Sequence, residues 1–130
     1  MFYLDASALT KLVVEEPETR ALHDLVRGRQ LASSRVAVVE VVKAVARSNP
    51  QADPQAVFAL LSFVELDADL ARIAGSTGGA ELRALDAIHV ASALRLGSEV
   101  DAFVTYDSRQ AAAARAAGLR VDAPGDGASA

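Results

Sequence analysis

Short apolar segments that alternate with longer helical patterns constrain the fold of this sequence more than any other feature. We predict strands over residues 2–4, 31–32, 63–66, 102–105 and 119–121. These segments lack the alternation of polar and apolar residues that a half-exposed strand shows, and continuous apolar runs are typical of parallel sheets covered on both faces. Parallel strands need crossover connections, which place helices on both sides of the sheet. We therefore predict an α/β fold: a three-layer α/β/α sandwich with a central parallel sheet.

The segments between the predicted strands have helical patterns that begin near capping residues and end at glycine or before proline. Residues 35–47 are rich in Val, which favours a strand, but their polar residues recur at helical spacing, so a helix is preferred. The pattern indicates a single domain over residues 1–122 and a flexible C-terminal tail over residues 123–130. Helices are predicted over residues 7–14, 18–27, 35–47, 54–61, 68–76, 82–96 and 108–117.

Charge and cysteine content exclude several classes of protein. The 130 residues include 17 Asp and Glu, 13 Lys and Arg, and no Cys. Without Cys there are no disulfides, zinc-thiolate sites or cysteine nucleophiles. A net charge of −4 argues against a protein that coats nucleic acid through bulk positive charge, although not against one that cuts it. No apolar run is long enough for a membrane span and the N-terminus lacks a secretory signal, so we expect a cytoplasmic protein with no membrane partner.

Four acidic residues occupy positions that favour a metal site. Asp5 and Asp107 each follow a predicted strand, at the edge of a parallel sheet where ligands bind. Glu40 and Asp86 interrupt apolar segments of predicted helices, where an unpaired carboxylate is costly. If the four converge, a divalent cation relieves their mutual repulsion, and oxygen ligands select Mg²⁺ or Mn²⁺. Such a site activates a water molecule and stabilises the oxygens of a phosphoryl displacement.

Each of these acids also has a structural interpretation, which the sequence leaves open. Asp5 and Asp107 both precede predicted helices and could be N-caps. Glu40 could pair with a cation on its own helix. Asp86 could pair with Arg83, three residues earlier, which would offset the cost of burying its charge.

Four motifs of the sequence resemble those of PIN domains. LDASAL at residues 4–9 is similar to the opening motif of the family, and Ser34 followed by Glu40 is similar to the second. LRALDAIHVASAL at residues 82–94 resembles the most distinctive stretch of the family, and VTYD at residues 104–107 resembles the fourth motif. The motifs stand in the family's order and cover almost the whole chain. Its compact length points to the VapC toxins of bacterial toxin–antitoxin pairs.

The resemblance implies an endoribonuclease that depends on Mg²⁺ or Mn²⁺ and acts as the toxin of a toxin–antitoxin pair. A metal-activated water held by clustered carboxylates would hydrolyse RNA phosphodiesters without a covalent intermediate. The implied partners are RNA, a cognate VapB-like antitoxin and a second copy of the chain in a homodimer. The alternative is a non-catalytic PIN-like module that binds a protein partner. The implied catalytic residues and metal ligands are Asp5, Glu40, Asp86 and Asp107.

Further polar residues lie close to these motifs in sequence. Ser7 and Thr105 are candidates for orienting the site through hydrogen bonds, or else stabilise a helix start and a strand. His89, one turn after Asp86, is interpreted as a hydrogen-bonded core residue rather than a catalytic one. The apolar residues of the first two helices are either ordinary core or a docking surface for the antitoxin. The candidate contacts to RNA phosphates are Lys11, Lys43, Arg47, Arg83 and Arg109.

Overall fold

The computed structural model describes residues 1–126 and contains a five-stranded sheet. The strand order is β3-β2-β1-β4-β5, and every neighbouring pair is parallel. The chain therefore builds one half of the sheet outward from the central strand β1 and then crosses back to build the other half from β4. The gap between β1 and β4 is a topological switch point, where α/β sheets bind ligands. The strands are β1 (Phe2–Leu4), β2 (Leu31–Ser34), β3 (Leu61–Val64), β4 (Ala102–Val104) and β5 (Val121–Asp122).

Helices cover both faces of the sheet, which confirms the three-layer α/β/α prediction. Phe2 and Leu4 pack on one face with helices α1 to α4, whereas Tyr3 packs on the other with α6 and α7. Helix α5 packs on α6. None of these helices is long and apolar enough to cross a membrane. They are α1 (Ala6–Val13), α2 (Thr19–Val26), α3 (Val36–Ser48), α4 (Gln55–Phe58), α5 (Ala68–Gly75), α6 (Ala84–Leu96) and α7 (Ser108–Ala116).

The largest boundary differences from the sequence prediction fall around β3. The helix predicted over 54–61 is a single turn ending at Phe58, and the strand predicted over 63–66 begins at Leu61. Pairing with β2 explains the shift, because Leu61 lies opposite Leu31 and the register continues from there along the strand. The apolar pattern alone does not contain this register, which only the neighbouring strand supplies.

Aspartate caps at helix starts determine where two of the candidate acids lie. Asp5 caps α1 and Asp107 caps α7, each with extended backbone and a side chain that accepts hydrogen bonds from main-chain N–H groups. A cap satisfies N–H groups that the first helical turn leaves unpaired. Because α1 follows β1 and α7 follows β4, both caps lie at the carboxyl edge of the sheet, beside the switch point.

The chain remains packed beyond residue 122, where the predicted tail begins. Ala123 is buried, and the Tyr106 hydroxyl donates to the carbonyl oxygen of Pro124 over 2.7 Å. The rest of the predicted tail, residues 127–130, lies outside the described residues.

Candidate active site

A cavity of about 310 Å³ opens at the carboxyl edge of the sheet, and all four candidate acids line it. Asp5 follows β1 and Asp107 follows β4, which are neighbours in the sheet. Helix α3 supplies Glu40, and the first turn of α6 supplies Asp86. The fold therefore brings four carboxylates from distant parts of the sequence around one cavity.

Asp5 is the most deeply buried of these carboxylates, with 4% of its surface exposed. Its Oδ1 accepts from Ser7 Oγ at 2.6 Å and from the Ala8 N–H at 3.1 Å, and its Oδ2 accepts from Thr105 Oγ1 at 2.6 Å. Burial raises the pKa of Asp5 above its ordinary value, although attraction to His89 and these hydrogen bonds partly offset the rise. Burying the ionised carboxylate thus costs free energy, and a nearby cation would reduce that cost.

The hydroxyls of Ser7 and Thr105 tie the two strand ends together around Asp5. Ser7 Oγ accepts from the Tyr106 N–H at 2.9 Å, and Thr105 Oγ1 accepts from the Asp107 N–H at 3.1 Å. The two hydroxyl oxygens are 3.3 Å apart. Both residues therefore contact a site carboxylate, in addition to any role that they have in local structure.

A buried hydrogen-bond chain holds Glu40. His89 Nε2 lies 2.7 Å from Glu40 Oε1, and His89 Nδ1 lies 2.8 Å from the Tyr3 hydroxyl. Because an ionised Glu40 can only accept, Nε2 must carry a proton, and Nδ1 lies within hydrogen-bond distance of the Tyr3 hydroxyl. Burial raises the pKa of Tyr3 well above its ordinary value, so this hydroxyl keeps its proton. Glu40 is thus partnered by a buried histidine, and the described residues include no ion pair between it and a cation of α3.

Arg83 bridges two of the four acids. Its Nε donates to Asp86 Oδ2 at 3.0 Å, the pair expected from the sequence, and its terminal nitrogen also lies 3.4 Å from Asp107 Oδ2. The other oxygen of Asp107, Oδ1, accepts from the N–H groups of Arg109 and Gln110 and so caps α7. Asp107 therefore caps a helix with one oxygen and contacts Arg83 in the cavity lining with the other, so the two interpretations of this residue are compatible.

These contacts bear on whether a metal ion fits the cavity. As the side chains lie, no three His, Asp or Glu residues within 1–126 form a cluster that could hold a metal ion. Three of the carboxylates also have partners already: Arg83 contacts Asp86 and Asp107, and His89 contacts Glu40. A divalent ion would therefore have to displace at least one of these partners.

The chemistry of the lining nevertheless fits a hard divalent cation. Four carboxylates supply oxygen ligands of the kind that Mg²⁺ and Mn²⁺ prefer. Gln110 lines the same cavity, is 1% exposed, and has an Oε1 without a hydrogen-bond partner among the described residues. Buried acceptors are rarely left unpaired, so this oxygen is available to an ion or to an ordinary water molecule. Gln110 is not among the residues predicted from the sequence; the available signal was its position in the first turn of α7, three residues after the capping Asp107.

The structure does not bring Lys11 to the cavity. Its ammonium group donates to Glu16 at 3.3 Å and to Glu18 at 3.0 Å, and it lies 4.8 Å from the centre of the Tyr106 ring. Although burial lowers the pKa of Lys11, the hydrogen bonds to the two glutamates outweigh it and raise the pKa. Lys11 therefore holds the start of α2 against α1.

Lys43 and Arg47 lie close to the cavity, on its outer side. Both line a groove of about 630 Å³ that shares Glu40 and Leu85 with the cavity walls. Both are exposed, and neither forms an ion pair within residues 1–126. Arg109 is also exposed, and its side chain has no ion pair in the same range of the chain. These three cations are therefore free to meet an approaching anion.

Comparison with known proteins places the chain in a family. The family model for the PIN domain matches residues 2–116. The chain is 38% identical to Ribonuclease VapC47 of Mycobacterium tuberculosis over 133 residues, covering 96% of this chain and 98% of the relative. It is 41% identical to Ribonuclease VapC46 of the same species over 125 residues, covering 94% and 96%.

The fold has counterparts among solved structures. One is VapBC2 from Rickettsia felis bound to a DNA fragment from their promoter, which matches with a TM-score of 0.66 and 15% identity over 95% of this chain and 99% of that one. The chain therefore belongs to the PIN domain family, and the relatives that it matches there are named ribonuclease VapC.

Proposed function

We propose that the chain is an endoribonuclease that depends on Mg²⁺ or Mn²⁺ and serves as the toxin of a toxin–antitoxin pair. The observation that carries this proposal is the convergence of four carboxylates on one cavity at the switch point of a PIN-domain sheet. The relatives named ribonuclease VapC, which match over nearly their whole length, support RNA as the substrate.

The residues of the cavity would have different roles in such a reaction. A bound divalent ion supplies positive charge and Lewis acidity, which activate water at neutral pH. Ser7 and Thr105 fix both oxygens of Asp5, so that carboxylate cannot rotate away. His89 orients Glu40 from the core side. Because these carboxylates are positioned before substrate arrives, little reorganisation is needed during the reaction. The residues proposed to hold the ion are Asp5, Glu40, Asp86 and Asp107.

RNA would approach along the groove beside the cavity. Four clustered carboxylates repel a phosphodiester until a cation neutralises them, so binding of the substrate depends on the ion as well as on the basic residues. Lys43 and Arg47 line the groove and can contact phosphates on either side of the one being cleaved. A few such contacts give modest affinity, which agrees with the net charge of −4.

The proposed role also includes an antitoxin, a homodimer and a cytoplasmic location. The large apolar residues of α1 and α2 are buried or partly buried: Leu9 and Leu22 lie in the core, and Leu12 and Leu25 pack against it. The exposed apolar side chains instead include Val39 on α3, 60% exposed, and Leu85, 46% exposed, both on the groove next to the cavity. A partner that covers this groove would block the route to the carboxylates.

Cleavage of RNA by the purified protein tests the activity. We expect cleavage with Mg²⁺ or Mn²⁺, none with EDTA, and recovery when the ion is restored. Asp5→Asn and Asp86→Asn should each abolish cleavage. Asp53→Asn is the matched control, since Asp53 is exposed, lies outside the cavity and accepts a hydrogen bond from the Gln55 N–H. Cleavage that persists in EDTA or in both cavity variants would contradict the proposal.

Expression in bacteria tests the biological role. We expect growth arrest that is relieved by co-expression of a small DNA-binding protein encoded next to this gene, and no arrest from Asp86→Asn. A folded protein that neither binds Mn²⁺ nor cleaves RNA would instead favour the non-catalytic binding module.

A further inference from the structure

Arg83 is the residue of the cavity whose contacts the proposed reaction does not explain. Its guanidinium lies between Asp86 on α6 and Asp107 at the start of α7, and both contacts are made to the Oδ2 atoms. Arg83 is a permanent cation, so it offsets the mutual repulsion of these carboxylates. It therefore lies between two of the oxygen ligands that a divalent ion would use.

The burial of the three side chains shows which of them can move. The side chain of Asp86 is 12% exposed, and that of Asp107 is 36% exposed and is also tied to the α7 N-terminus through Oδ1. The side chain of Arg83 is 57% exposed. Ion pairs of such exposed cations contribute about 0–1 kcal/mol, so the guanidinium can be displaced at low cost while the carboxylates stay in place.

We propose that Arg83 is an internal counter-cation that competes with the divalent ion for Asp86 and Asp107. The inference rests on the metal site of the proposed function and adds a regulatory contact to it. In the ion-free protein Arg83 bridges the two acids; when the ion binds, the guanidinium leaves both oxygens and turns to solvent. The competition sets the ion affinity of the cavity below that of the same carboxylates without the arginine.

Calorimetric titration of the folded full-length chain with Mn²⁺ tests this competition. Arg83→Gln removes the competing charge, and we expect it to tighten Mn²⁺ binding about three- to tenfold. This is the range expected when the ion no longer has to displace two exposed ion-pair contacts. Arg109→Gln is the matched control, because it removes the same charge close to the cavity from an exposed side chain with no ion pair in residues 1–126. Its Mn²⁺ affinity should change by less than about twofold.

Thermal unfolding gives a second readout that does not involve RNA. In EDTA, Arg83→Gln should unfold at a lower temperature than the wild type, because Asp86 and Asp107 lose their counter-charge. Saturating Mn²⁺ should remove most of that difference, so the ion-induced rise in melting temperature is larger for the variant. An equal rise in the two proteins would contradict the competition.

The outcomes separate this inference from the proposed function. If the wild type cleaves RNA in an EDTA-sensitive way but Arg83→Gln binds Mn²⁺ with unchanged or lower affinity, the competition is wrong and the proposed function stands. If neither protein binds Mn²⁺, both the competition and the proposed function are wrong. If Arg83→Gln does not fold, Arg83→Lys replaces it in the titration. Lysine keeps the charge but lacks the planar guanidinium that spans two carboxylates, so we expect Arg83→Lys to bind Mn²⁺ more tightly than the wild type. An unchanged Mn²⁺ affinity of Arg83→Lys overturns the proposal.

Discussion

Replacing Asp5 by asparagine should make the ion-free protein more stable while removing its activity. The substitution keeps the shape of the side chain and deletes a charge that is 4% exposed. The hydrogen bonds can be rearranged: the new side-chain amide would donate to Thr105 Oγ1, whose hydroxyl proton would then turn to Ser7 Oγ, 3.3 Å away. In this rearranged network both hydroxyl groups and one of the two amide N–H groups keep a partner.

The direction of the change follows from the raised pKa of Asp5. Below the unfolded pKa, Asp5 is protonated in both states and carries no charge penalty. As pH rises from the unfolded pKa to the folded pKa, the unfolded chain ionises more readily than the buried carboxyl group, so the wild type loses stability relative to the variant. At pH 8 we expect Asp5→Asn to be more stable by about 1 kcal/mol, the usual size of a single substitution's effect, and to melt at a higher temperature.

Urea and thermal denaturation in EDTA, from pH 4 to pH 8, measure this difference. Asp53→Asn makes the same chemical change at an exposed residue and should stay within about 0.5 kcal/mol of the wild type at every pH. A loss of stability in Asp5→Asn at pH 8, or a difference that does not grow with pH, would show that the buried charge of Asp5 does not destabilise the ion-free fold. A variant that is inactive yet more stable also shows that lost cleavage is not lost folding.

Three further substitutions test individual contacts of the cavity. Thr105→Val removes the hydroxyl that donates to Asp5 and should lower the free energy of unfolding by about 2–3 kcal/mol in urea denaturation. An unchanged free energy of unfolding would show that this hydrogen bond does not stabilise the fold. Tyr3→Phe leaves His89 Nδ1 buried without a partner and should cost about 1–2 kcal/mol; Tyr106→Phe, at a half-buried hydroxyl, should cost less. Gln110→Leu deletes the unpaired Oε1 and should be neutral or stabilising in EDTA, yet weaken Mn²⁺ binding in calorimetry; unchanged binding would remove Gln110 from the site.

The fold could be predicted where local signals and tertiary context agree. Asp67 caps α5 and Gly97, at a φ of +63°, follows α6, as the sequence indicated. The predicted boundaries of β3 were two residues too late, because this edge strand gets its register from β2 rather than from its own apolar residues. A pattern within one segment cannot report a partner strand about 30 residues away.

The candidate site was likewise predictable from local signals, whereas its long-range contacts were not. Asp5 and Asp107 could be located because each follows a strand and precedes a helix, and both signals are local. The contact of Arg83 with Asp107 joins residues 24 positions apart, and that of His89 with Glu40 joins residues 49 positions apart. Such contacts depend on how α6 packs against α7 and on where α3 lies across the carboxyl edge of the sheet, which spacing in the sequence does not specify.

Anomalous diffraction from crystals grown with Mn²⁺ tests whether the four carboxylates together hold a divalent ion. We expect an anomalous peak in the cavity within about 2–2.5 Å of carboxylate oxygens from at least three of the four acids. Arg83 should have moved away from Asp86 and Asp107. Two results would show that the four carboxylates do not hold the ion. One is a cavity without Mn²⁺ at a concentration that supports RNA cleavage, and the other is an ion bound elsewhere on the chain. The four acids are Asp5, Glu40, Asp86 and Asp107.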